Sequence, residues 1–230
     1  MKFLGIIGGI APGSTIEYYR QIVDAYRARV ADGSYPRLVI NSIDLKAMLD
    51  AVAANALGEL TDMLAAEVAR LAAAGAEIGL FASNTPHLVF DELQRRSPIP
   101  LISIVEETCR AAASAGMKRP GLFGTRFTME NDFYPRVFAR AGITIVTPER
   151  DDRAFIHEKY LGELVPGAFR DDTRDALLAI AARLPSIDGL ILGGTELPLL
   201  LRGDSANGIP LLDTTRIHVA AAVREMTCGS

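Results

Sequence analysis

Two stretches decide the fold between them: Gly5–Tyr19, GIIGGIAPGSTIEYY, and Gly121–Tyr134, GLFGTRFTMENDFY. Each passes from an apolar β-type segment through a tight turn into a helical pattern. Two further pairs follow in the same order. GLFASNTPHLVF from Gly79 matches GLILGGTELPLLL from Gly189, and SPIPLISIVEETCRAAA from Ser97 matches NGIPLLDTTRIHVAAAV from Asn207. The pairs are offset by 110 to 116 residues. The repeat predicts two similar α/β halves, residues 1–103 plus 213–230 and residues 104–212. It also predicts that the last helix, Thr214–Met226, packs back on the first half. Such halves are expected to face each other across a pseudo-twofold cleft, with a ligand at the carboxyl ends of both sheets.

Outward from these stretches the pattern repeats. Short apolar runs at Lys2–Ile7, Arg37–Ser42, Ala76–Ala82, Ile99–Ser103, Arg119–Gly124, Gly142–Thr147, Ile187–Gly193 and Ile209–Leu212 are bounded by Gly, Pro, Asn or Asp. That is how buried parallel strands read. Between them lie stripes at helical spacing, such as Ile16, Tyr19, Ile22, Val23, Tyr26 and Val30, or Leu57, Leu60, Leu64, Val68 and Leu71. Another runs through Ile156, Tyr160, Leu161 and Leu164. Strand and helix in alternation predict α/β architecture with mostly parallel sheets.

Composition narrows the function. Over 230 residues the chain is 49% hydrophobic and 23% charged, which excludes a disordered chain or a disulfide-stapled mini-protein. Its net charge is −4, with no basic run, so no nucleic-acid partner is expected. Cys109 and Cys228 cannot define a disulfide framework, and a reducing cytoplasm is the expected location. The N-terminal MKFLGIIGGIAPG runs straight into a Gly/Pro turn and reads as a first strand rather than a signal peptide. No segment approaches the ~18 apolar residues of a membrane span, so no membrane partner is expected. A small molecule is the expected ligand.

The turns carry the chemistry. In GGIAPGST, Gly8 and Gly13 are followed by Ser14 and Thr15, close to a phosphate-binding loop, but Ser14 stands where that loop needs its Lys. What remains is a Gly-rich loop opening onto a helix N-terminus, suited to a carboxylate, with Gly9 and Pro12 as binding positions. A plain turn capped by Ser14 or Thr15 is compatible with this. In ASNTPH, Asn84 and Thr85 can cap the next helix, with Pro86 at its first position. The partner turn GGTELP, Gly193–Pro198, also follows a strand and also carries Thr, then Pro.

The Gly-rich opening, the N-T turn after the third strand and the late G-x-T-E turn together resemble the aspartate/glutamate racemase family, over essentially the whole chain. In that family the turns read C-N-T and G-C-T-E. The resemblance implies a cofactor-independent isomerase in which two cysteines flank the substrate α-carbon, one thiolate taking a proton while the other thiol delivers one. Here Ser83 stands at the first cysteine position and Gly194 at the second. A serine hydroxyl needs an activating neighbour to act as a base, and Gly194 has no side chain. The fold and an anion pocket are implied, without the two-thiol pair.

Other groups remain for proton transfer. His87 lies four residues after Ser83, within reach if a helix starts at Asn84. His157 is expected to open a helix whose counterpart in the family contributes to the cleft; His218, in the last helix, reads as structural. Glu196 is the family's T-E acid, expected to orient the helix start or to bond a backbone amide. Asp44 matches a family position near the pocket, or simply caps the helix starting near Lys46. Thr125 and Thr195 head helices whose N–H groups face the same ligand. No metal spacing and no base-stacking aromatic platform is present. Three readings stay open: an amino-acid or carboxylate isomerase, an inert carboxylate-binding protein, and a related lyase or isomerase using Ser83 with a nearby base. Apolar clusters at Phe127–Phe138 and Leu197–Leu201 read as exposed and suggest a homodimer, the commonest closed assembly.

Overall fold

A computed structural model of the chain describes residues 1–228, and its first strand, β1 (Leu4–Gly8), is buried at every position. A strand covered on both faces needs helices above and below it. The chain supplies them in order: α1 (Pro12–Arg29), β2 (Leu38–Ser42), α2 (Leu45–Ala53), α3 (Leu57–Ala73) and β3 (Ile78–Phe81). A 3-10 turn at Thr85–Val89, α4 (Phe90–Arg96) and β4 (Leu101–Ile102) complete a parallel sheet of order β2-β1-β3-β4.

The plan then repeats. After α5 (Ile104–Ser114) come β5 (Gly121–Gly124), α6 (Arg126–Glu130), α7 (Phe133–Ala139) and α8 (Arg150–Lys159). A π-type turn at Tyr160–Leu164 leads to α9 (Asp171–Arg183), β6 (Leu190–Gly193) and α10 (Leu197–Leu200). A hairpin of β7 (Ser205–Ala206) and β8 (Ile209–Asp213) precedes α11 (Thr214–Thr227). The second sheet has the order β5-β6-β8-β7, parallel except for the hairpin. Two compact units result: Met1–Ile104 with the chain from His218 on, and Val105–Ile217. The repeated stretches fall on β1 and β5, β3 and β6, and β4 and β8.

Gly142–Thr147, expected as a strand, is not one. Only Val146 bridges to Gly121, in parallel. Val146 N–H donates to the Pro120 carbonyl at 3.0 Å and Leu122 N–H to the Val146 carbonyl at 2.9 Å. One step back, Thr144 N–H donates to Lys118 at 2.9 Å, but the return bond would have to come from residue 120. Proline has no N–H to give, and the ladder stops. The β7–β8 hairpin went unforeseen although Asn207-Gly208 is its sequence signal. Both residues are left-handed, at φ of +49° and +78°, as a tight two-residue hairpin turn demands.

In the first unit the core joins Leu4 and Ile6 of β1 and Leu80 of β3 to Tyr18 and Ile22 of α1 and to Val219 and Val223 of α11. In the second, Phe123, Leu190 and Leu192 pack with Tyr160, Leu177 and Leu197. The clusters read as exposed are part of this interior: Phe133, Tyr134, Phe138, Leu197, Leu200 and Leu201 are all buried. Phe127, Val137 and Leu199 of the same stretches are half-buried. Among the described residues, no helix is long and apolar enough to cross a membrane.

His218 is fully buried in the first core. Its Nε2 lies 2.9 Å from the Ile102 carbonyl, which can only accept, so Nε2 carries the proton and Nδ1 accepts from the Tyr18 hydroxyl at 2.9 Å. Tyr18→Phe keeps the ring but deprives Nδ1 of that donor. Urea unfolding should show a loss of about 1–3 kcal/mol relative to the parent chain.

Candidate active site

Parallel pairing brings the expected turns to common edges. In the first unit Ile7 pairs with Phe81 and Gly8 with Ser42, so the Gly9 loop leaves the sheet between the Ser83 and Asp44 turns. In the second, Gly124 pairs with Gly193, so Thr125 and Gly194 leave side by side.

The Gly9 loop is closed from inside the helix that follows. Gly9 has φ of +83°, and its N–H donates to Thr15 Oγ1 at 2.8 Å. α1 starts at Pro12 after Ala11, with no side-chain cap. Thr15 is thus a clasp in the first turn rather than the expected cap. A side-chain carbon at Gly8 would lie 2.7 Å from Thr15 Oγ1, so that strand end has room only for glycine. Asp44 is exposed and caps α2 by accepting from Lys46 N–H at 2.8 Å.

Ser83, Asn84 and Thr85 are buried. Asn84 precedes the 3-10 turn without a side-chain cap. His87 does not serve Ser83 as the expected base. Its Nδ1 lies 3.2 Å from the Asn84 carbonyl, and its Nε2 accepts from Ile104 N–H at 3.2 Å. The ring stacks on Phe90 with centroids 4.7 Å apart. Burial, followed by the neighbouring His218, pushes its pKa down to about 3. Both nitrogens are committed to the backbone, and His87 is a structural residue.

In the second unit Thr125 caps α6, accepting from Thr128 N–H at 3.4 Å. His157 lies in the last turn of α8 rather than opening a helix, because the helix begins seven residues earlier at Arg150. Its Nδ1 accepts from Arg126 N–H at 3.2 Å, which leaves the proton on Nε2. Burial and then the Arg126 charge hold its pKa below the usual value. His157 is therefore a neutral hydrogen-bond donor at the Thr125 turn.

The Gly194 turn holds the group that the sequence reading missed. A side-chain carbon at position 194 would lie 2.8 Å from both Cζ and Oη of Tyr160. The Tyr160 hydroxyl donates to Glu196 Oε2, and the Thr195 hydroxyl donates to the same oxygen at 2.8 Å. All three residues are buried. Glu196 makes no side-chain cap to α10 and receives two hydroxyls on that oxygen. Burial, followed by the Glu196 charge, raises the Tyr160 pKa well above its ordinary value, so the hydroxyl keeps its proton. Tyr160 reads as a core position of an apolar stripe. The available signal was Gly194 itself, since a missing side chain in a packed interior must be replaced by a neighbour.

The cysteines take no part in these turns. Cys109 is buried with its thiol pKa raised by burial, and its Sγ lies 3.9 Å from the Val137 carbonyl. Cys228 is exposed. Among the described residues, no group of three His, Cys, Asp or Glu is placed to hold a metal ion.

The family model for Asp/Glu/Hydantoin racemase matches residues 7–222. The chain belongs to that family. A Yersinia pestis structure assigned as an Asp/Glu racemase is 32% identical, with a TM-score of 0.88 over 98% of this chain and 99% of the other. An aspartate racemase homologue from Pyrococcus horikoshii is 30% identical, with a TM-score of 0.85 over 99% and 100%. The broad specificity amino-acid racemase RacX of Bacillus subtilis is 23% identical over 62% of this chain and 63% of its own length, so the chain matches just under two thirds of that relative. The α/β plan of two four-stranded sheets is thus a racemase fold, and membership of the family supports a racemase-like isomerase function.

The buried histidine has a measurable consequence. His87 titrates near its ordinary value of about 6.5 when unfolded but at about 3 when folded. Between those values the unfolded chain binds the extra proton, so stability falls as pH drops from about 6.5 toward 3. The slope from this residue should reach about 1.4 kcal/mol per pH unit in urea titrations. His87→Leu should flatten it while lowering stability at neutral pH, because Ile104 N–H loses its acceptor.

Proposed function

We propose that this protein is a cofactor-independent, cytoplasmic isomerase that moves a proton at the carbon next to a carboxylate of a small amino acid or carboxylic acid. One observation carries the reading: the equivalent strands β3 and β6 each end in a buried polar turn, Ser83-Asn84-Thr85 and Gly194-Thr195-Glu196. Burying polar groups at a strand end costs stability, which ties them to a task other than folding. Within the first unit, backbone N–H groups of the Gly9 loop and of the Asn84 and Thr85 turn suit a carboxylate; within the second, those of the Thr125 and Thr195 turns and the proton on His157 Nε2 do. The relatives' names, Asp/Glu racemase and broad specificity amino-acid racemase, make amino acids the first substrates to try.

A second reading is an inert carboxylate binder. It is favoured by His87, which is unavailable to activate Ser83, and by the bare Gly194. Calorimetric titration with aspartate, glutamate, malate and citrate, followed by incubation in heavy water, separates the two. Binding at millimolar ligand with deuterium entering the α-position of either enantiomer is expected. Binding without exchange favours the inert protein, and no binding by any ligand sinks both readings. We also expect a homodimer on symmetry grounds, with a sedimentation mass near twice 24.7 kDa. A monomer at micromolar concentration would refute it.

A further inference from the structure

We propose that the outer edge of β2 is a dimer surface, on which β2 of a second copy of this chain pairs antiparallel about Ile40. The first sheet then runs continuously from one copy into the other. The proposal rests on the homodimer expected above and names the surface that forms it.

The backbone shows which way the free groups of the strand point. β2 ends the sheet order β2-β1-β3-β4, with β1 as its one neighbouring strand among the described residues. Leu4 N–H donates to the Arg37 carbonyl at 3.3 Å, and Ile43 N–H donates to the Gly8 carbonyl at 3.0 Å. These two bonds bracket the β1–β2 ladder. In a parallel ladder alternate residues bond the neighbouring strand, so Arg37, Val39, Asn41 and Ile43 face β1. The N–H and C=O groups of Leu38, Ile40 and Ser42 therefore point away from β1, and no bond to them occurs among the described residues.

The other sheet edges are protected. β4 and β7 are two residues each, and the outer side of β5 is met by Val146. β2 runs for five residues, Leu-Val-Ile-Asn-Ser, without the charge or proline that normally blunts an edge. Its residues are half-buried as far as Asn41, and Ser42 is exposed. The side chains of Leu38 and Ile40 pack against the first core while staying partly open, and Asn41 turns its amide inward, donating to Glu67 Oε2 at 2.7 Å. What the edge still offers is backbone and apolar surface.

A second copy fits this edge in both register and charge. The outward residues are spaced evenly about Ile40, so a twofold axis there sets Ile40 against Ile40 and Leu38 against Ser42. Each such pair exchanges two hydrogen bonds. Arg37 precedes the strand; it is exposed, its guanidinium carbon lies 5.3 Å from the Phe3 ring centroid, and it has no carboxylate partner among the described residues. Asp44 follows the strand, also exposed, with its carboxylate on Lys46 N–H. Antiparallel pairing brings the Arg37 end of one strand to the Asp44 end of the other, whereas parallel pairing sets like charges side by side.

The test uses the full-length chain carrying Cys228→Ser, which removes the exposed thiol. Onto it are placed Ile40→Cys, Leu38→Cys and the pair Leu38→Cys/Ser42→Cys. In the proposed register residue 40 meets its own copy with Cα atoms about 5.5 Å apart, within the span of a disulfide. Under oxidised glutathione, Ile40→Cys and the double variant should form covalent dimers, and Leu38→Cys by itself should not. In sedimentation, Ile40→Pro removes an outward N–H and no bond to β1, so the dimer dissociation constant should rise at least about tenfold. Arg37→Glu should weaken the dimer as well, and Arg37→Glu/Asp44→Lys should recover it. Circular dichroism checks that each variant folds; where Ile40→Pro does not, the cross-linking pattern decides. A parent dimer in which Ile40→Cys fails to cross-link overturns the β2 surface and leaves the homodimer standing. A parent chain of monomer mass, with the Leu38, Ile40 and Ser42 amides exchanging freely, overturns both and leaves the edge to an extended segment of another protein.

Discussion

Strands β1, β3, β5 and β6 are buried along their whole length, and that constraint governs everything at their carboxyl ends. A buried strand must hand its polar backbone to a turn that satisfies it without water. The same device recurs in both units. Glycine ends the strand, and a threonine from the following segment closes over it: Thr15 over Gly8, and Thr128 over Gly124. The hydrogen bonds differ, since Thr15 accepts from Gly9 N–H while Thr128 N–H donates to the Thr125 hydroxyl. What is repeated is the close packing, which tolerates no β-carbon on the strand's last residue. Turns so tightly closed present their remaining N–H groups in a fixed direction, as an anion site requires.

The three histidines show how burial sorts identical side chains into different tasks. His87 and His218 each spend both ring nitrogens on partners inside the first unit, which removes them from proton chemistry. His157 spends only Nδ1, on Arg126 N–H, and keeps Nε2–H as a donor. The distinction lies in how many nitrogens the local fold has already used, and no spacing rule reports that. Tyr160 and Glu196 follow the same logic in reverse. Two hydroxyls converge on one carboxylate oxygen, and burial then keeps the phenol protonated.

The expectations that failed did so for local reasons. Gly142–Thr147 has the apolar content of a strand, but Pro120 on its neighbour cannot return a hydrogen bond, and a single residue's chemistry elsewhere in the chain ended the ladder. His157 was expected to open a helix, yet α8 begins at Arg150, where Asp151 and Asp152 place negative charge in the first turn. The Phe127–Phe138 and Leu197–Leu201 clusters were taken for surface because short helices leave no clear periodicity to say which face is covered. α10 packs against β6, and in α7 the buried rings of Phe133, Tyr134 and Phe138 pack on one another.

The sequence by itself determined the two repeated α/β halves, the strands β1 to β6 and β8 in outline and the turns at Gly9, Asp44, Ser83, Thr125 and Gly194. Those features are written in residues next to one another: apolar runs, helical stripes and the Gly, Pro and Thr that end them. Only the tertiary structure decided which groups those turns hold. That His87 faces the backbone, that Thr15 clasps Gly9, and that Tyr160 stands against Gly194 with Glu196 beside it are contacts between residues separated by as many as 36 positions. Such contacts follow from the close packing of a finished interior, where an absent side chain is filled by whichever neighbour can reach, and no local pattern encodes which one that is.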